Sequence, residues 1–323
     1  MTNLNKRTSL LFLVCFLLYL SLSMVLRAAI DESDTNMLYF ANAVFISIPS
    51  FLLPSLFFRR KNHFESFKMP PVSHMLLAVV LGIGCVFLNQ SLSYLNASLL
   101  YGLDMESNAT TALTIRGLNT WNMLFSLAII PPICEEFLMR GTLLESWGRT
   151  SPIAAALLTS LLFGLLHAAP SMLIVYFGIG LLCAFIYIIT RNVWITVTVH
   201  FINNLSSVLI AYALGDSLDA LEEGQSVNEA MGALNSLIDV RLVYLFLFFM
   251  SALFAAAIIV PIVFVLRSSC RKQGIGMFAK PSVQEYNTAK HSIFSDPILW
   301  LTIALLLILN IISGLYEFKV IKP

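Results

Sequence analysis

The chain has 323 residues, 58% of them hydrophobic and only 11% charged, with a formal net charge of +1. Soluble domains carry roughly 25% charged residues, so a soluble globular protein is excluded, and the near-neutral balance gives no footing for a nucleic-acid partner. The apolar residues are gathered into runs long enough to cross a bilayer, which takes about 20 residues each.

In chain order the runs cover 8–30, 37–58, 74–93, 119–139, 152–168, 171–189, 193–213, 242–266 and 297–316. They predict an all-α, polytopic transmembrane bundle of about nine helices. The first run lacks a small-residue cleavage site and reads as a span, not a signal peptide. Basic residues follow alternate spans: Lys6 and Arg7 precede the first, and Arg59, Arg60, Lys61 and Lys68 follow the second. Arg140 and Arg149 follow the fourth, Arg191 the sixth, and Arg267, Arg271, Lys272, Lys280 and Lys290 the eighth. The intervening loops, 31–34 and 215–240, are acidic. Positive loops stay inside, so the N-terminus is expected in the cytoplasm of a cell whose plasma membrane holds the chain. Lys319 and Lys322, at the outward end, depart from this pattern.

Cys15, Cys85, Cys134 and Cys183 lie in apolar runs, and with Cys270 they form no CxxC pair. They read as small hydrophobes, without disulfides or a thiolate metal site. Cys134 adjoins two glutamates, but an apolar helix offers a thiol nothing that would activate it. The sequons at Asn96 and Asn108 are expected in an outer loop, where glycosylation depends on the host.

Polar residues at membrane depth are costly and mark function. Here they gather in three consecutive places: EEFLMR (Glu135, Glu136, Arg140), FGLLH (Phe163, His167) and HFINN (His200, Asn203, Asn204). Residues four apart share a helix face, so Glu136 and Arg140 can neutralise each other at the membrane edge. Glu135 is turned about 100° from Glu136, which leaves its carboxylate free for chemistry. His200 and Asn204 repeat the four-residue spacing and can address one spot together, and Phe163 can pack beside His167. Singly, each feature reads as an anchor or an interhelical hydrogen bond. A free carboxylate, two imidazoles and an amide on three helices are harder to explain as packing, which Ser, Thr or Gly would serve at less cost.

The motifs EExxxR, FxxxH and HxxxN, in that order, resemble the CAAX-protease and bacteriocin-processing (CPBP, or Abi) family of intramembrane endopeptidases. The resemblance covers roughly residues 115–210. It divides the chain into N-terminal spans (1–114), a protease-like core (115–214) and an acidic outer loop with C-terminal spans (215–323). It implies that Glu135 is the general base for water, that His167 helps hold that water, and that His200 and Asn204 stabilise the oxyanion. Glu136 and Arg140 would then orient the helix, and Phe163 would pack against the site. These roles suit peptide hydrolysis, which needs a base beside the attacking water and donors at the developing oxyanion. The implied partners are the lipid bilayer and a membrane-associated or prenylated (CAAX-type) peptide or protein.

Two histidines and a glutamate also match a catalytic zinc set, Glu135, His167 and His200. HExxH is absent, however, and an asparagine beside His200 suits an oxyanion donor better than a ligand. Metal-free chemistry is therefore the expectation, with zinc as the alternative. A noncatalytic scaffold or immunity protein of the same fold, and more remotely a secondary transporter, are the rival functions. Transporters often carry inverted repeats, and no repeat is present here.

Depth supplies a further expectation. Glu135 and His167 lie about 21 and 25 Å along their helices from the turn at 148–150, but His200 only about 14 Å past Arg191. The levels agree if the hairpin 140–155 projects about two turns beyond the lipid, exposing its polar residues and making a shallow, cytoplasm-facing site.

Overall fold

The computed structural model describes residues 2–31, 33–62, 66–101, 118–149, 151–222, 239–275 and 294–318, with backbone alone at 2–3, 60–62 and 211–222. Among these residues there are nine helices and no strand. We label them α1 (Thr2–Ala29), α2 (Thr35–Ala41 continuing through Asn42–Leu52 and Leu53–Asn62) and α3 (Val72–Leu100). α4 (Thr120–Trp147), α5 (Pro152–Leu166), α6 (Leu173–Thr190), α7 (Val193–Glu222), α8 (Val240–Lys272) and α9 (Pro297–Glu317) follow. Eight are long and apolar enough to cross a membrane. The exception is α5, whose 15 residues reach about 22 Å.

The polytopic bundle expected from the apolar runs is therefore present, with several helices longer than their runs. α3 continues to Leu100, so Asn96 is not in an outer loop. It is 7% exposed inside the helix, and its Nδ2 donates to Met172 Sδ at 3.7 Å. The residues that follow it, Ala-Ser-Leu-Leu, are good helix formers or neutral, and no breaker stops the helix before them. Asn108, the acidic residues of the 215–240 loop from Glu223 to Glu229, Lys280, Lys290, Lys319 and Lys322 lie outside the described residues.

Prolines accompany two of the three π-helical irregularities. Proline has no N–H and crowds the carbonyl four residues back, and a wider π turn relieves both problems. Pro49 sits within the π-helical stretch Asn42–Leu52 of α2. In α4 the π-helical Leu124–Ile129 directly precedes Pro131 and Pro132, and there the Ile130 N–H donates to the Phe125 carbonyl. A second π stretch, Met139–Leu144, follows the glutamates, and Thr142 Oγ1 donates to the Phe137 carbonyl at 2.9 Å. The motif EEFLMR thus lies on a short α-helical piece between two widened turns.

The main core joins α1, α4, α5, α6 and α9 through Phe12, Phe16, Leu138, Leu143, Trp147 and Phe163. Outward faces carry large apolar side chains such as Leu76, Phe249, Phe264 and Ile311, as helices bathed in lipid require.

The 140–155 hairpin is not the solvated projection expected from its polar residues. Every residue from Met139 to Trp147 is buried. Glu145, Arg140 and Thr142 find hydrogen-bond partners inside the protein. Glu145, 2% exposed, accepts from Arg191 Nη2 (2.7 Å), Arg149 Nη2 (3.1 Å) and Tyr187 Oη (2.7 Å). Arg191 ends α6 in a left-handed conformation, φ +52°, a strained state for a non-glycine residue that the bond to Glu145 helps hold. The segment 66–68 closes over the same end of the bundle. Ser66 O accepts from Val193 N at 2.9 Å, and Phe67 O accepts from Trp194 Nε1 at 2.9 Å.

Candidate active site

The site starts from the two prolines. The Leu127 carbonyl would ordinarily receive the N–H of residue 131 in an α turn or 132 in a π turn, and both are proline. A bare carbonyl inside a membrane protein is costly. Asn204 of α7 fills the gap, its Nδ2 donating to Leu127 O at 3.1 Å. The PP of PPICEEFLMR and the N of HxxxN are thereby joined physically.

One turn further along α4, the two glutamates separate as their helical phase predicts. Glu136 is fully buried and Oε1 accepts from Arg140 Nη1 at 2.8 Å. The pair is in the bundle interior, closed off from solvent on both sides. Arg140 Nη2 donates to the Gly180 carbonyl at 2.8 Å, and its guanidinium lies 5.0 Å from the centre of the Phe163 ring. Gly180 permits this approach: a Cβ there would stand 3.2 Å from Phe163 and 3.3 Å from the Ser160 Cα. Glu135 turns away, its side chain 17% exposed, and its buried Oε2 has no hydrogen-bond partner among the described residues.

The two glutamates nevertheless meet the same imidazole. His200 Nδ1 lies 3.1 Å from Glu136 Oε1, and its Nε2 lies 3.9 Å from Glu135 Oε2. An ionised carboxylate only accepts, so Nδ1 carries a hydrogen toward Glu136 and Nε2 is the nitrogen turned toward Glu135. Glu136 therefore orients His200 as well as its own helix, a link beyond the expected pairing.

His167 is fixed differently. Its Nδ1 donates to the Phe163 carbonyl at 2.8 Å, and because a carbonyl only accepts, Nε2 is left with a lone pair. Phe163 packs edge-on against both imidazoles, with ring centroids 4.7 Å from His167 and 5.7 Å from His200. The motif residues on α4, α5 and α7 are thus brought together around Phe163. The exception is Asn204. Its recorded partners are Leu127 and Asn203, whose Nδ2 donates to Asn204 Oδ1 at 3.3 Å, so one amide hydrogen is already engaged and one remains.

Zinc was the alternative for Glu135, His167 and His200. The outward hydrogen bonds of both imidazoles are of the kind that metal-bound histidines make. Among the described residues, however, no three His, Cys, Asp or Glu side chains converge closely enough to hold a metal ion.

Two contacts escaped sequence reasoning. Tyr176 stacks face to face on His167, with centroids 4.0 Å apart and planes 18° apart. It sits in an unbroken apolar run, where nothing distinguishes it from a packing aromatic. Asn89 of α3 donates to Asn203 Oδ1 at 3.1 Å and so extends the amide chain that reaches Asn204. The signal for it was present, since Asn89, Gln90, Ser91, Ser93 and Asn96 crowd the end of an apolar run.

Comparison with known proteins gives a family match over this stretch. Residues 117–206, which hold all seven motif side chains, match the family described as Type II CAAX prenyl endopeptidase Rce1-like. The chain is 28% identical over 111 residues to YdiL, a candidate membrane peptidase of Bacillus subtilis (strain 168), covering 34% of this chain and 46% of that one. It is 24% identical over 166 residues to the membrane-embedded CAAX protease MroQ of Staphylococcus aureus (strain USA300), covering 49% of this chain and 67% of that one. The chain thus spans about half the length of the first relative and two thirds of the second. No solved structure matches. Over residues 117–206 the resemblance to the CAAX-protease and bacteriocin-processing family, first drawn from three motifs, is borne out.

Proposed function

We propose that the protein is an intramembrane endopeptidase that hydrolyses peptide bonds of membrane-associated proteins with water activated by Glu135. One observation carries this reading. The Glu135 Oε2 is buried and has no hydrogen-bond partner among the described residues, yet it faces, at 3.9 Å, an imidazole anchored on a second carboxylate 3.1 Å away. A carboxylate kept for structure is paired, as Glu136 is. One kept for proton transfer needs an open oxygen near the reacting water.

In this mechanism Glu135 takes a proton from water, and the Nε2 lone pair of His167 accepts the second hydrogen bond and fixes the water's orientation. The water oxygen attacks the scissile carbonyl. His200, protonated and held by Glu136, donates from Nε2 to the oxyanion, and the spare amide hydrogen of Asn204 adds a second donor. Collapse breaks the C–N bond, and the proton on Glu135 passes to the leaving amine. Substrates are membrane-associated proteins or peptides, prenylated CAAX-type proteins among them. Comparing new protein N-termini in membranes that carry wild type or Glu135→Ala tests the reading. A defined set of termini is expected to vanish with the variant. Identical sets from two equally abundant proteins would overturn it.

Every step above is carried by protein side chains, so turnover of purified protein is expected to survive exhaustive chelation. Loss on chelation and recovery on adding zinc would reverse that assignment.

We further propose a plasma-membrane protein with a cytoplasmic N-terminus, an orientation that the positive loops support. Glu145 is buried and ion-paired, which rules it out as a labelling site. Lys272 and Ser33 are exposed at opposite predicted faces, and the five native cysteines are buried. A cysteine at Ser33 is expected to react with an impermeant reagent in intact cells, and one at Lys272 only after the cytoplasmic face is opened. The reverse pattern would invert the topology.

A further inference from the structure

The family match ends at residue 206, but α9 reaches the site from outside it. Asn310, Ser313 and Glu317 lie three and four residues apart and so share one face of α9. Each side chain ends on the backbone of the last turn of α5 or of the turn that follows it. Asn310 Nδ2 donates to the Leu165 carbonyl (2.8 Å), and Ser313 Oγ donates to the Ala168 carbonyl (2.5 Å). Glu317 Oε2 accepts from the Ser171 N–H (3.1 Å). Gly314 on the same face lets the turn come close, since a Cβ there would stand 3.2 Å from Pro170 Cγ.

This turn carries His167, the first residue past α5. The next residue, Ala168, has φ +48°, a left-handed state that a side chain disfavours and that persists only where the surroundings impose it. Ser313 bonds the carbonyl of that strained residue. The rest of α9 is mainly lipid-facing: Ile308, Ile311 and Ile312 are exposed. Polar side chains on such a helix are expensive, and these three all end on one seven-residue stretch, 165–171.

We infer that α9 is a working part of the active site, with Asn310, Ser313 and Glu317 as positioning residues that hold the His167 turn. The inference rests on the proposed role of His167 in orienting water. Misplacing a positioned group by about 1 Å can cost on the order of a hundredfold in rate, so a loosened turn should lower turnover without unfolding the bundle.

The test uses full-length protein in lipid nanodiscs and in cells. The variants are Ser313→Ala, Asn310→Leu and their combination, with Ser313→Thr and Glu317→Gln as conservative controls that keep a donor and an acceptor. Amide hydrogen exchange over 164–172 reports the turn, and the Glu135-dependent N-termini report cleavage. The double variant is expected to raise exchange in the turn and to reduce those termini about tenfold or more, with melting unchanged. The two controls should stay near wild type. If the double variant melts early, Ser313→Ala, which removes one atom, decides by the same two readouts. Unchanged exchange and cleavage in a folded variant would overturn the inference, as would a Ser313→Thr as defective as Ser313→Ala. A folded His167→Ala that cleaves normally would instead sink the role of His167, and exchange alone would then judge whether α9 holds the turn.

Discussion

Glu135→Gln is expected to abolish turnover while leaving the protein folded and able to bind substrate. Glutamine keeps the size and a hydrogen-bonding oxygen but cannot accept a proton, and losing a general base costs about 10²-fold or more. Stability should be spared because Oε2 has no hydrogen-bond partner among the described residues and the side chain keeps 17% exposure. Thermal melting and single-turnover cleavage, run on the same preparation, separate the two effects. A Glu135→Gln protein that turns over within a few fold of wild type would remove this residue from the chemistry.

Glu136→Gln should fail in the other way, by losing stability and activity together. Arg140 is fully buried and Glu136 is its ion-pair partner at 2.8 Å. Breaking a buried pair from one side costs about 3–5 kcal/mol because an uncompensated charge remains. The same substitution removes the carboxylate that His200 Nδ1 addresses at 3.1 Å, so the fraction that folds should also turn over more slowly. Exchanging the charges, Glu136→Arg with Arg140→Glu, tests the two roles separately. Some stability should return because the pair is restored, but turnover should not, because residue 136 then offers no carboxylate to His200 Nδ1. If the two single glutamine variants were equally inactive and equally stable, the carboxylates would be acting as one catalytic pair, and the division of labour would be wrong.

The reach of the sequence is visible in these residues. Glu136 with Arg140 and the outward turn of Glu135 were legible because both depend only on helical phase, a local property. The meeting of Glu136 with His200 was not, since it joins residues 64 apart through the mutual packing of α4 and α7. The burial of 139–147 was misread for a related reason. Arg140 and Glu145 look solvated until Gly180, Tyr187 and Arg191 are known to face them, and their separation in sequence gives no hint of that. Asn96 was placed in a loop because the apolar run ends before the helix does. Tyr176 was invisible, since an aromatic stacked on a site histidine and one facing lipid read alike.

The proline pair of α4 has a consequence for how the protein is made. This span is the least apolar of the eight, holds three glutamates and an arginine, and leaves the Leu127 carbonyl open until Asn204 arrives from α7. During synthesis the first four helices therefore emerge with a segment whose polar groups still lack their partners from α6 and α7. It becomes comfortable only when α6 offers the Gly180 carbonyl and α7 brings His200 and Asn204. The groups that make the segment insertable are the groups proposed to make it reactive. A nascent chain stalled before α7 would hold a base with no oxyanion donors, and so no hydrolytic site beside the other membrane proteins being inserted around it. Completion of the fold and onset of cleavage coincide in the same few hydrogen bonds.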